Sequence, residues 1–163
     1  MTKRKPLLER LKTDNRGSSY VSLFIALMLI FMLTFTLGEY FRLLGVRDEA
    51  GRQIQRGINV AVEEAMRDTW RWDKTSVLDR NKVLTLFDQY MRWEVGLDSN
   101  YRLNSSITGE EIWRLEITNR VAVDSPSPHF RVEGNIVTRS VLSFLTDDVV
   151  IPFSIRSRNM RLD

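Results

Sequence analysis

The sequence predicts an α+β protein: a long N-terminal helix, half transmembrane and half amphipathic, then a second helix and a small antiparallel β-sheet. Three observations carry this. Ser18–Gly38 contains no charged residue, apolar positions from Val46 to Ala65 recur at helical spacing, and beyond Gly96 the apolar period falls to two.

Residues 1–17 hold Lys3, Arg4, Lys5, Arg10, Lys12 and Arg16 against Glu9 and Asp14, a balance of +4 in a chain whose total is +3. A basic tail on a near-neutral body suits either a membrane flank or a nucleic-acid arm. The adjoining segment favours the membrane. Its 21 residues SSYVSLFIALMLIFMLTFTLG, at about 1.5 Å per residue, cover the roughly 30 Å hydrocarbon core of a bilayer. Clustered Lys and Arg keep the N-terminal side in the cytoplasm, because positive flanks resist translocation. Tyr20 at one end and Tyr40-Phe41 at the other stand where aromatic rings favour the interface. The expected partition is a cytoplasmic leader over 1–17, a transmembrane helix over 18–38, an amphipathic continuation over 39–69 and an extracytoplasmic α+β domain over 70–163. Thr36-Leu37-Gly38 has the small-x-small form of a signal-peptidase site, but the apolar run exceeds the usual length of a cleaved signal.

Val46, Ala50, Ile54, Ile58, Ala61 and Ala65 form one stripe on a helix, with Arg52, Arg56, Glu63 and Arg67 opposite at about 100° per residue. This helix should end near Asp68. Gly45, Gly51 and Gly57 each cost about 1 kcal/mol against alanine, so a kink or melted turn near one of them is expected. Trp70–Thr75 reads as a connection. Thr75 or Ser76 is a suitable cap for a second helix carrying Leu78, Val83, Leu84, Phe87, Tyr90 and Met91 and ending near Gly96.

Tyr101, Leu103, Ser105 and Ile107 then alternate with polar residues. Trp113, Leu115, Ile117, Val121 and Val123 share one face of the next segment, with Arg114, Glu116, Thr118 and Arg120 on the other. Ser125-Pro126-Ser127-Pro128 forces a turn or extended loop. Phe130–Val137, Ser140–Leu145 and Val149–Ile155 offer two or three further strands. Pro152 marks the last as an edge or bulged strand. Trp93 and Trp113 fall near apolar periodic positions and read as core.

The sequence offers little catalytic chemistry. With no cysteine and His129 as the sole histidine, the common zinc and transition-metal sets cannot be assembled. No phosphate-binding glycine loop or nucleophile elbow is present. Glu63-Glu64, Glu110-Glu111 and Asp147-Asp148 are adjacent pairs whose side chains diverge. No catalytic, metal or cofactor residue is assigned, and the expectation is a non-enzyme without cofactor or nucleic-acid partner.

The order of a basic leader ending in glycine, an apolar helix continuing as an amphipathic one, and a C-terminal antiparallel sheet resembles the type IV pilin architecture. The segment RGSSYVSLFIALMLIF also looks like the start of TadE-like pilus-assembly proteins. The resemblance covers about Arg16–Met66. It implies a prepilin peptidase cutting between Gly17 and Ser18, and sibling pilin-like proteins as partners within the bilayer. Both families usually carry glutamate five residues after the glycine, where this chain has Ser22. In pilins that carboxylate pairs with a neighbouring subunit's N-terminal amine, so its absence points to a minor or accessory subunit. Ser18, Ser22 and Ala26, with Ser19 nearby, are small residues on one helical side that allow close helix approach in lipid. The expected function is therefore a membrane component of a bacterial surface-appendage or secretion machine, acting by assembly. The alternative is a membrane-tethered module that binds a peptide, small ligand or cell-wall polymer in a concavity between helix and sheet.

Overall fold

The computed structural model describes residues 15–73, 78–124, 128–141 and 148–157, with side chains of the first helix described from Tyr20 to Met66. The fold is α+β. Helix α1 (Asn15–Asp73) and helix α2 (Arg80–Trp93) precede strands β1 (Arg102–Asn104), β2 (Glu111–Val123), β3 (His129–Thr138) and β4 (Val149–Arg156). The strands form one antiparallel sheet in the order β1-β2-β3-β4. The chain divides into two compact units between Phe41 and Arg42.

In the first unit the helix presents apolar side chains to the outside on every face; Leu29, Phe31 and Leu33 are each more than 60% exposed. Among the described residues this is one helix long and apolar enough to cross a membrane. Thr34 and Thr36 donate their hydroxyls to the carbonyls of Ile30 and Met32, at 2.9 and 2.8 Å. Such back-bonding satisfies a hydroxyl where water is absent.

The second unit is built around the apolar stripe of α1. Ala50, Ile54, Ile58, Ala61 and Ala65 are buried together with Val83, Phe87 and Met91 of α2 and with Trp113, Leu115, Phe130, Val132 and Ile136 of the sheet. Phe87 meets Phe130 edge-on, with ring centroids 5.5 Å apart, a geometry that suits the ring quadrupoles. α1 remains helical through Gly45, Gly51 and Gly57 and continues to Asp73, past the expected end. Gly57 has a packing reason: a Cβ there would lie 2.8 Å from Cδ1 of Tyr90. The missing side chain lets α2 come close.

The cap of α2 is Asp79, whose side chain accepts from the backbone N–H groups of Asn81 and Lys82 at 3.0 and 3.1 Å. This places the start later than the Thr75 or Ser76 expected from the sequence, two residues that lie outside the described ones. The helix ends at Trp93, and Gly96 takes φ +80, which favours glycine.

Several side-chain assignments in the sheet are corrected. Ile107 does not alternate inward. β1 stops at Asn104, and Ser105–Thr108 turn, leaving Ile107 93% exposed. Trp93 is exposed at the end of α2 rather than in the core, whereas Trp113 is buried. Ser140 and Val141 are outside any strand, and Leu142–Leu145 of the segment expected to pair lie outside the described residues.

The largest correction is in β2. Ile117 pairs with Gly134 and Asn119 with Glu133, so Thr118 is an extra residue, a bulge whose hydroxyl donates to the Glu133 carbonyl at 3.1 Å. One inserted residue exchanges the two faces of everything after it. Hence Arg120 and Ala122, opposite Val132 and Phe130, share the helix-facing side, while Val121 is exposed. Gly134 answers the bulge: a Cβ there would come within 2.4 Å of the Glu116 carbonyl oxygen.

Candidate functional site

Two surfaces have the makings of a functional site, and each belongs to one unit. The first is the apolar exterior of α1 from Tyr20 to Leu37. Ser22 and Ala26 lie on this helix four residues apart and are exposed. Gly17, Ser18 and Ser19 also belong to the helix, and their surroundings lie outside the described side chains. Repetition at i and i+4 keeps Ser18, Ser22 and Ala26 within one broad face of the helix.

The second is a groove of about 880 Å³ between the polar flank of α1 and the edge of β4. Its helix wall carries Arg47, Asp48, Arg52, Gln55, Arg56 and Glu63, and its apolar floor is Ile136, Phe153 and Ile155. Pro152 and Ser154 complete the strand wall. Gln55 donates to the Arg156 carbonyl at 3.1 Å and ties helix to strand at one end. Arg52 is held by Glu49 at 2.8 Å, and this hydrogen bond raises the guanidinium and lowers the carboxyl relative to their ordinary values.

The backbone of β4 can be oriented residue by residue. Ser157 sends its N–H to the Phe130 carbonyl, toward β3, at 2.8 Å. The Arg156 carbonyl faces the other way, toward Gln55. Since successive residues of a strand alternate in direction, the carbonyls of Pro152 and Ser154 and the N–H of Ser154 point outward. Pro152 has no N–H, which fits an outward position on an edge.

Elsewhere the polar side chains serve the fold. Arg120 donates to Asp88 and to the Tyr101 hydroxyl, both at 2.7 Å, and Tyr101 donates to Asp88 at 2.5 Å. The guanidinium also lies over the Phe87 and Tyr101 rings. Arg114 gathers Glu111, Glu116 and Asp148 and is held protonated well above its ordinary range, first by Glu111. The first cluster joins α2 to the sheet, and the second ties β2 to the residue that leads into β4. Among the described residues no three His, Cys, Asp or Glu side chains are arranged to hold a metal.

By spacing alone, Arg52, Arg56 and Glu63 fall on the solvent side of α1 with no counterpart. Only Pro152 hints that an edge strand is available, and nothing in the periodicity says that this edge meets the helix. No protein-family model, curated protein or solved structure matches the chain.

Proposed function

We propose that this chain is a single-pass membrane component that works by assembly with partner subunits, pilin-like or TadE-like in organisation, in a bacterial surface appendage or secretion machine. The carrying observation is that one unbroken helix has two different surfaces. It is apolar on every exposed face from Tyr20 to Leu37, and from Ala50 to Ala65 it is buried along a single stripe within a folded domain. The first surface suits lipid or sibling helices, and the second makes the helix part of the domain it carries. The +4 leader sets the orientation, with residues 1–17 cytoplasmic and the α+β domain outside. Processing between Gly17 and Ser18 by a prepilin peptidase, and close packing of sibling helices at Ser18, Ser19, Ser22 and Ala26, follow from the same reading. A reporter enzyme fused after Asp163 tests it: activity only outside the cytoplasm is expected, and activity of a cytoplasm-only reporter overturns the orientation.

The groove supports a second reading, a tethered module that binds a ligand outside the membrane. About 880 Å³ lies within the range of ligand sites, commonly about 300–1,000 Å³. The two readings separate on stoichiometry. Crosslinking in the membrane captures sibling helices under the first and leaves a monomer under the second.

A further inference from the structure

We propose that one end of the β-sheet rests in the bilayer interface, so that the folded domain touches lipid through its strands as well as being carried by α1. The proposal rests on the reading of α1 as a spanning helix and adds a second lipid contact to it. Neighbouring strands are antiparallel, so β1 and β3 finish at this end of the sheet, and β2 and β4 begin there.

Among the described residues the second unit exposes seven large apolar side chains, and four of them, Ile107, Ile112, Val141 and Val150, belong to this one end. Single exposed apolar residues need no explanation, whereas a cluster does. Ile107 is 93% exposed, within the turn that Ser105 closes by donating its N–H to the Glu110 carbonyl at 2.8 Å. The Ile112 carbonyl accepts from the Thr138 hydroxyl at 2.8 Å, Val150 stands opposite Val137, and Val141 follows Arg139 by two positions. The four thus form a rim across the sheet, about 14 Å long at the usual strand spacing. Of the carboxylates at this end, Glu111 and Asp148 are bound by Arg114, and Glu110 is exposed. The far end differs: Val121 there stands in register with Arg131, and Arg131 with Arg156.

The tie between this rim and α1 identifies what covers it. Arg42 opens the second unit and donates to the Arg139 carbonyl at 2.6 Å. It is the fourth residue after Gly38, about 6 Å farther along a helix. The headgroup layer on each side of the hydrocarbon core is about 5–8 Å thick. Chain connection therefore holds the end of β3 at headgroup depth, whatever the angle at which the helix leaves the bilayer. Gln55 makes the corresponding tie to the Arg156 carbonyl at the far end, about 20 Å farther along α1. The apolar end of the sheet is thus the one nearest lipid, and the cationic end is the one remote from it. Isoleucine and valine side chains at that depth leave water for the acyl boundary, as the apolar faces of interfacial segments do. Because these side chains select no headgroup charge, the contact forms on zwitterionic lipid.

The chain has no cysteine, so a single fluorophore can be placed without background. The test uses the full chain in phosphatidylcholine vesicles, with the same environment-sensitive dye on Ile107→Cys, Val150→Cys, Val121→Cys or Leu29→Cys. Parallel vesicles contain phosphatidylcholine with a nitroxide high or deep on its acyl chain. Labels at Ile107 and Val150 should emit at shorter wavelength than the label at Val121 and be quenched by the shallow nitroxide, while Val121 stays unquenched. Adding Ile112→Asp and Val141→Asp should return the Ile107 label toward the Val121 emission and relieve its quenching. Labels at Ile107 and Val150 that match Val121 overturn the proposal. Short-wavelength emission without lipid quenching also overturns it, and assigns the rim to a protein contact such as a second copy of the chain. Leu29 reports on the helix separately. If the deep nitroxide quenches Leu29 and neither nitroxide quenches Ile107, the helix spans and the rim contact alone fails. A Leu29 label that neither nitroxide quenches overturns the spanning reading, and with it the contact derived from that reading.

Discussion

Arg120 of β2 reaches across to Asp88 of α2 and donates to its carboxylate at 2.7 Å, both side chains being partly buried. The Thr118 bulge makes this possible by turning Arg120 toward the helix. Replacing Arg120 with methionine keeps much of the contact with Phe87 but leaves Asp88 without its cation. We expect a loss of about 1–3 kcal/mol, the range for leaving a polar partner unsatisfied. Chemical unfolding of the full chain in micelles measures it. A double-mutant cycle with Asp88→Asn should show coupling of at least about 0.5 kcal/mol. Strict additivity of the two losses would remove the pair from the account.

Tyr101 gives this cluster a pH dependence. Burial, and then the Asp88 carboxylate, raise its phenol above the ordinary value, with Arg120 pulling the other way. The folded state therefore keeps a proton that the unfolded state releases at about pH 10. The stabilisation is complete below that pH and is lost as pH rises toward the higher folded value. Unfolding midpoints should fall more steeply above about pH 10 in the wild-type chain than in Tyr101→Phe. Identical alkaline slopes would contradict it.

Two glycines should respond in opposite directions to alanine. At Gly134 the new Cβ would meet the Glu116 carbonyl oxygen, a backbone atom that cannot move aside without disturbing the bulge. A loss of about 1–3 kcal/mol or more is expected for such overpacking. At Gly45 nothing lies within 4 Å of the added carbon, and removing a helix-interior glycine should gain up to about 1 kcal/mol. Thermal melts of the two variants give the sign directly.

Leu29 lies midway along the charge-free run and is 62% exposed. Leu29→Arg should raise the apparent cost of membrane insertion by about 2.5–3.5 kcal/mol, the amount for a central arginine. Alkaline extraction of membranes is the measurement. The variant should shift toward the soluble or degraded fraction, while Leu29→Phe should remain with the membrane. Equal partition of both variants would argue against a spanning helix.

Processing after Gly17 makes the sharpest prediction about maturation. The cationic leader holds Arg16-Gly17-Ser18 at the cytoplasmic face, and its removal would free the helix from that anchor. Intact mass of the membrane-extracted chain should correspond to a start at Ser18, and Gly17→Leu should retain the leader. A wild-type mass that includes residues 2–17 would instead mark a permanent anchor.

Local pattern was enough for the α+β order, the apolar run, the stripe that became the centre of the core and the edge character of β4. A charge-free segment, a period of 3.6 or 2, and a proline without an N–H can all be read without knowing what lies opposite. Other features waited on the packed chain. Whether Arg120 faced water or the helix depended on one extra residue at Thr118, which alternation alone cannot reveal because both registers satisfy the same pattern until β3 supplies the partner. Trp93 and Ile107 kept the apolar period, but Trp93 is the last residue of α2 and Ile107 lies beyond the end of β1, and both are exposed. The groove had no signature at all. It arises because β4, the last strand of the sheet among the described residues, lies beside the polar flank of α1 and brings Gln55 to Arg156 across 101 positions, and such proximity exists only once the chain has folded.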